Sequence, residues 1–298
     1  MPKNLLHKYV TIATLKRILE GTIRMTQPGA FNDPFELLPE IVVPRDHPEG
    51  PLPLSFDIRA PRRQSNAPVS GPPLDDCTSS DFISRQILDD LNQHVGILCL
   101  SRSPNSILMW SHYADQYQGA VISFNADHEF FVDQIGVEYV TDRPKIPIET
   151  YKSGPIPLAD LCNKSKEWWY EQEVRIARLL KDCKKTAHVD GRGFSVFTAD
   201  VPRDAIVSIA LGERTSIAQQ REMYTLIKPT TIGLTLSAVD NVGFGFRQER
   251  ILFQGPHRNP MISPRTAHIF SDTNTVFGQL ARELIRVHPA SAIVNKIA

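Results

Sequence analysis

Glu171 and Glu173 stand two residues apart in the run Trp168-Trp169-Tyr170-Glu171-Gln172-Glu173-Val174-Arg175-Ile176. Side chains of a strand alternate between its faces. Read as a strand, this run turns Glu171, Glu173 and Arg175 one way and Tyr170, Val174 and Ile176 the other. The apolar face can enter a core. A carboxylate pair at that spacing suits hydrogen bonds to sugar hydroxyls, or the stabilisation of a positive charge that grows during a reaction. The plainer alternative is a solvated face, on which exposed Glu–Arg pairs are worth ~0–1 kcal/mol. On an outward face, an isosteric Glu173→Gln change would cost activity and leave stability within ~0.5 kcal/mol.

Other residues of chemical interest lie in a few short stretches. Met109-Trp110-Ser111-His112-Tyr113-Ala114-Asp115 combines aromatic rings with an imidazole. Trp110 and Tyr113, with Tyr9, can stack on a ligand ring or anchor a core. His112 reads as a hydrogen-bonded structural histidine or as a base. Asn32-Asp33-Pro34 reads as a turn whose Asp side chain bonds the following backbone, and Glu36 as a surface residue or the partner of a nearby cation.

No glycine-rich phosphate loop and no HExxH or Cys/His cluster is present, which disfavours a Rossmann enzyme, an ATPase and a metal enzyme. No metal ligand set is expected. Cys77, Cys99, Cys162 and Cys183 form no CxxC pair, and Cys99 reads as a buried small hydrophobe. Lys plus Arg and Asp plus Glu are 33 each, so the net charge is zero and a globally basic nucleic-acid binder is disfavoured, although a local basic groove is not. No secretory pattern opens the chain, and no apolar run approaches the ~20 residues that span a bilayer. A cytoplasmic setting without membrane contact is the expectation.

The elements that must position these residues read as α+β, with short mixed strands and peripheral helices. Residues 5–10, 23–26, 97–101, 119–124, 131–139, 206–211, 231–239 and 243–253 read as extended. Residues 11–20, 82–91, 105–115 and 215–227 read as helices. Residues 144–157 read as a turn-rich connection. The last helix, 274–287, carries an apolar stripe of Val276, Phe277, Leu280, Leu284 and Ile285. Residues 44–80, dense in Pro, Ser, Gly and Asp, read as a mobile surface insertion that a protease would cut first. Its Arg59, Arg62 and Arg63 read as a solvated basic cluster.

The motifs resemble those of a family of bacterial and phage proteins catalogued as domain of unknown function 2971. One patch is His7-Lys8-Tyr9, the helix of Leu15, Ile18 and Leu19, Gly21, and Phe31-Asn32-Asp33-Pro34-Phe35-Glu36. The next is Met109 to Asp115 followed by Gly119, and the last is Lys164-Ser165 with Trp168 or Trp169 and Tyr170 to Arg175. This chain has Tyr117-Gln118 where the family often carries a His before the Gly. The order and spacing hold over roughly residues 5–240, which implies one domain over 1–253, interrupted by the 44–80 insertion, and a C-terminal helical extension over 254–298.

The arrangement is also similar, more distantly, to single-domain ADP-ribosyltransferases and tRNA 2′-phosphotransferases. That likeness implies an NAD-dependent ADP-ribosyltransferase-like toxin or phage-defence effector, with a nucleotide substrate and a nucleic-acid or protein acceptor. Glu173 would stabilise the oxocarbenium-like ribose and Glu171 would orient the nucleophile. Lys8 or His7 would open the fold, and Lys8 or Arg175 would meet the pyrophosphate. Tyr9, Asn32, Asp33, Trp110, His112 and Tyr113 would complete the NAD site, all lining one cleft. The alternatives are a non-catalytic module that senses a ligand or nucleic acid, and a Mg²⁺-dependent nuclease using Asp33, Glu36, Glu171 and Glu173.

Overall fold

The computed structural model describes residues 4–42, 55–63, 77–152, 154–256 and 260–288. The fold is α+β, with short strands in parallel and antiparallel pairs among helices. The chain forms two compact units. The first combines Met1–Gly21, Ser101–Phe130 and Val201–Ala298; the second combines Thr22–Leu100 and Phe131–Asp200. This division differs from one domain over 1–253 with an appended helix. Residues 260–288 pack within the first unit, where Arg221 donates to the His268 carbonyl at 2.7 Å and pairs with Asp272.

In the first unit, Leu5–Val10 pairs antiparallel with Ala120–Asn125 along its whole length, from Leu5↔Asn125 to Val10↔Ala120. Ala120–Asn125 pairs on its other side with Ile206–Leu211, which runs parallel to Gly233–Val239. The helix Ile217–Ile227 makes that parallel crossover, started by a capping box of Ser216 and Gln219. Phe246–Leu252 closes the row antiparallel to Gly233–Val239. Helix Ile12–Leu19 is capped by the Thr11 hydroxyl, buries Ile12, Leu15, Ile18 and Leu19, and is followed by Gly21 at φ 99°.

Helix Ile107–Tyr113 is shorter than the predicted 105–115, because Ser106 is its cap. After it, Asp115, Gln116 and Tyr117 all have left-handed backbones, with φ of 49°, 50° and 72°. Such backbone costs roughly 1–2 kcal/mol per non-glycine residue. Tight packing holds it: a Cβ on Gly212 would stand 2.0 Å from the Tyr117 carbonyl oxygen, and one on Gly119 would stand 2.1 Å from that of Val10. The glycines are therefore needed for close approach.

The C-terminal helix Val276–Val287 corrects an expectation. Val276 and Leu280 of its apolar stripe are 70% and 57% exposed, and the buried residues are Gly278 and Ala281. Small residues let the helix backbone come close: a Cβ on Gly278 would lie 1.9 Å from the Thr273 carbonyl oxygen.

In the second unit, helix Cys77–His94 starts earlier than the predicted residue 82. It presents Ile83, Ile87 and Leu91 at helical spacing to a core with Leu37, Ile41, Ile97, Ile156 and Leu161. Strands Thr22–Met25, Ser195–Asp200 and Lys184–Val189 form an antiparallel sheet. Glu173–Leu179 pairs antiparallel with Gln134–Gly136. The predicted strand 131–139 is broken into Gln134–Gly136 and Glu138–Val140, the latter running parallel to Asn163–Ser165.

Most of the predicted insertion 44–80 lies outside the described residues. Residues 55–63 are docked rather than loose. Phe56–Asp57 pairs with Ile156–Pro157. Arg63 donates to the carbonyls of Thr150 and Pro155 at 2.6 and 2.7 Å, and Arg62 to that of Cys162 at 3.1 Å. Arg62 and Arg63 thus act as clamps on backbone oxygens, while Arg59 of the expected basic cluster is solvated.

His7 gives the first unit an acid-sensitive point. It is buried, 3.0 Å from the Ser123 hydroxyl, and burial lowers its pKa from 6.5 to about 4. Between those values the unfolded chain binds the proton and the folded one does not, so stability falls as pH falls through that window. At 1.36 kcal/mol per pH unit the loss is about 3 kcal/mol. Urea titrations at pH 7 and pH 4.5 should show it. A His7→Gln variant should flatten that part of the profile, and an unchanged profile would remove His7 as the cause.

Candidate functional site

The acidic run is not one continuous strand. Lys166–Glu171 is a 3₁₀ helix, Gln172 is left-handed at φ 44°, and the strand begins at Glu173. The left-handed turn brings Glu171 and Glu173 to the same ammonium: Lys164 Nζ lies 2.6 Å from Glu171 Oε2 and 3.5 Å from Glu173 Oε2. Glu36, from a bend 128 residues upstream of Lys164 in sequence number, accepts from the same Nζ at 2.8 Å. Arg175 Nε and Nη2 fork onto Glu173 at 2.8 and 3.1 Å, and Nη2 also donates to Glu36. All five residues are buried, and Arg175 is wholly so. The expected solvated face therefore does not exist. Val174 and Ile176 are buried as expected, so both faces of the strand are covered.

Rings and polar groups complete the second unit's charge cluster. Lys164 Nζ lies 4.8 Å from the Trp168 ring centroid, and the Arg175 guanidinium 5.6 Å from that of Phe31. The Tyr139 hydroxyl oxygen accepts the Glu173 backbone N–H at 2.8 Å. Burial raises the Tyr139 phenol, with the Glu173 and Glu171 charges adding to it. Burial alone would raise the Glu173 carboxyl. The Arg175 charge and hydrogen bond, with Lys164 and the Cys99 thiol, outweigh it and hold Glu173 at about 2. Burial works against the Lys164 ammonium too, yet Glu173, Glu36 and Glu171 together raise its pKa. The Cys162 thiol, next to Arg175, is pushed up by burial. Arg175 Nη1 is buried with no hydrogen-bond partner among the described residues.

A cleft of about 210 Å³ opens beside the cluster in the same unit. Its polar lining includes Asp33, Thr141, Asp142, Arg143, Asn163 and Lys164, and its apolar lining includes Phe35, Leu38 and Leu161. Asp33 Oδ1 accepts the Phe35 backbone N–H at 2.9 Å, which is the expected turn. Its other oxygen has no bond among the described residues. Arg143 donates through Nε to the Leu38 carbonyl at 3.0 Å. Phe35 is 62% exposed.

The predicted site residues divide between the units. Asn32, Asp33, Glu171, Glu173 and Arg175 belong to the second, while Lys8, Tyr9, Trp110, His112 and Tyr113 belong to the first. Within the second unit, Glu171, Glu173 and Arg175 come together and Asp33 lines the cleft beside them. Within the first unit, Tyr9 is buried, donates to the Ser103 carbonyl at 2.9 Å and accepts from Ser106 N at 3.1 Å. It meets Trp110 edge-on at 5.6 Å. Both are anchors of a core, although the Trp110 indole N–H has no acceptor among the described residues. Lys8 is half-buried in strand Leu5–Val10, opposite Ile122. His112 is exposed, with its ring 6.2 Å from that of Tyr113.

Sequence reasoning gave no role to Lys164, which is the hub of the cluster, and none to Tyr139. Of its two readings for Glu36, a surface residue or the partner of a cation, the structure shows the second, with Lys164 and Arg175 as the cations. A lysine ahead of two glutamates in a stretch rich in tryptophan was the available signal. Of the carboxylates of the nuclease alternative, Glu36, Glu171 and Glu173 converge, but on two cations of the chain itself, while Asp33 accepts from the Phe35 backbone. Among the described residues, no group of His, Cys, Asp and Glu is arranged to hold a metal ion, and no helix is long and apolar enough to cross a membrane.

Burial reverses the expectation for Glu173→Gln. Leaving one partner of a buried ion pair uncompensated costs ~3–5 kcal/mol, so this variant should unfold in urea with a loss of about that size. The Glu173 contribution is complete above its unfolded pKa of 4.5 and is lost as pH falls toward 2. The variant should lack that acid step. A melt within ~0.5 kcal/mol of wild type would mean that the cluster is open to water.

No curated protein and no solved structure matches the chain. Residues 109–176, which hold Trp110, His112 and the acidic run, match the model of the family described as protein of unknown function (DUF2971), so this stretch of the chain is similar to that family.

Proposed function

We propose that the second unit is a nucleotide-binding module that senses its ligand without transforming it. The observation that carries this reading is the cleft whose lining includes Asp33, with one oxygen unbonded among the described residues, Arg143 and the exposed Phe35. A carboxylate can accept from a ribose hydroxyl, a guanidinium can meet phosphate, and an exposed ring can stack on a base. The cleft's 210 Å³ is below the ~300–1,000 Å³ of pockets for drug-sized ligands. It suits one nucleoside moiety, such as one half of NAD. The buried cluster is the fixed floor beneath it, since Lys164 belongs to both.

ADP-ribosyl transfer from NAD to a nucleic-acid or protein acceptor, in a toxin or phage-defence role, is the second reading. It is favoured by the nearness of Glu171 and Glu173 to a lining residue of the cleft. It asks more of the molecule, because Glu173 would have to leave two cations to reach a ribose. Sensing needs no such release.

Calorimetric titration with NAD⁺, ADP-ribose, AMP and ATP tests the first reading. At least one should bind, and Asp33→Asn should weaken it about tenfold or more, the size of a lost bond to a charged group. The Asn oxygen keeps the bond to Phe35 N, so the melt should hold. No binding at millimolar concentration would end the nucleotide reading. Release of nicotinamide from NAD⁺ with labelling of an acceptor would replace sensing by transfer.

A further inference from the structure

We infer that one face of the first unit binds single-stranded nucleic acid along the strand Phe246–Leu252. The strand pairs with Gly233–Val239 on one side. Phe246 and Arg250, four residues apart, point to the same face, roughly 13 Å from one another at ~3.3 Å per residue. At one end, the Phe246 ring lies 5.7 Å from that of Tyr117, and the Arg214 guanidinium lies 5.3 Å from the Tyr117 ring. At the other end, the Arg250 guanidinium lies 4.7 Å from the Phe253 ring. At the hairpin tip, the Phe244 ring is fully exposed.

The two arginines decide the partner. Neither the Arg214 nor the Arg250 side chain has an ion pair or hydrogen bond among the described residues, whereas the neighbouring Arg247 is held by Glu249 at 3.0 Å. Each free guanidinium is parked over an aromatic ring. The exposed rings of Phe244 and Phe253, beside two guanidinium groups with no acidic partner among the described residues, match a flexible polyanion with aromatic bases. A duplex hides its base faces and would gain only the charge contacts. The left-handed turn at 115–117 gives this face its rigidity, since it fixes Tyr117 between Phe246 and Arg214. This inference is independent of the nucleotide cleft, which belongs to the other unit.

Fluorescence anisotropy with labelled 16-residue oligo-dT and oligo-U, at 50 and 200 mM salt, tests it on the full chain. Binding should weaken with salt with a log–log slope of about −1.4, from two phosphates neutralised on a single strand. Arg214→Gln and Arg250→Gln should each weaken binding several-fold and flatten that slope by about half. Phe244→Ala should weaken binding fivefold or more and leave the slope unchanged, since stacking is worth ~1–3 kcal/mol per base. Arg250→Lys should keep the slope while losing affinity. These surface variants should melt with wild type. No binding at 50 mM salt, equal binding of a 16-base-pair duplex, or affinity indifferent to all of these changes would overturn the inference. So would self-association of the protein that Phe244→Ala abolishes, which would give the face to a second copy.

Discussion

The second unit depends on a lysine ammonium held by three carboxylates. Lys164 meets Glu36, Glu171 and Glu173, and Arg175 locks Glu36 and Glu173 from the other side. Neither cation could stay buried alone, and neither could any of the acids. Each is tolerated because the others are there. Glu36 comes from the bend after Phe35, Lys164 from a short parallel strand, Glu171 from a 3₁₀ turn, and Glu173 and Arg175 from a strand edged by Gln134–Gly136. Segments distant in sequence are thus fixed to one another by charge. Hydrophobic contacts could be repacked at modest cost, but these pairs cannot shift without stranding a charge.

That rigidity bears on function. A general acid or base needs a pKa near the working pH. The cluster drives its members the other way, with Glu173 held at about 2 and Lys164 raised. A carboxylate fixed as an anion can still stabilise developing positive charge. Glu173, however, spends both oxygens on Arg175 and one of them on Lys164 as well. At the wall of the adjoining cleft, Asp33 has one oxygen used and one without a bond among the described residues, and Asp142 has neither oxygen used among them. The cleft wall thus keeps unused acceptors, while Glu173 has its oxygens committed to the two cations.

Much of the fold was legible in local pattern. Thr11 and Gly21 bracket a helix whose buried positions follow a 3.6-residue period, and the strand Leu5–Val10 falls where it was predicted. The carboxylate pair and Arg175 could be singled out because unlike residue types crowd a short run. Their burial could not. Alternation says which side chains share a face, and it does not say whether that face meets water. Glu36 was the missing term, since a single acid far upstream gives no local sign that it neutralises Arg175. The left-handed Gln172 was also invisible, because nothing in Glu-Gln-Glu demands φ of 44°. In the C-terminal helix, the hydrophobic stripe misled for a related reason. Gly278 and Ala281 allow a closer backbone approach than the large residues do, so the small face was buried.

A chain of zero net charge can still carry information in where its charges are left unpaired. In the second unit the buried charges are matched to one another, and Arg62 and Arg63 are spent on backbone carbonyls. In the first unit Arg265 is held by Glu213, Arg247 by Glu249 and Arg221 by Asp272. The Arg214 and Arg250 guanidinium groups instead rest on aromatic rings, with no acidic partner among the described residues. Stability gives no reason to leave them so, because an exposed acid beside either would cost nothing and add a few tenths of a kcal/mol. An acid there would, however, repel a phosphate. Among the described residues, the absence of neutralising partners at these two positions is what a surface kept open to a polyanion requires, and the overall charge balance hides it.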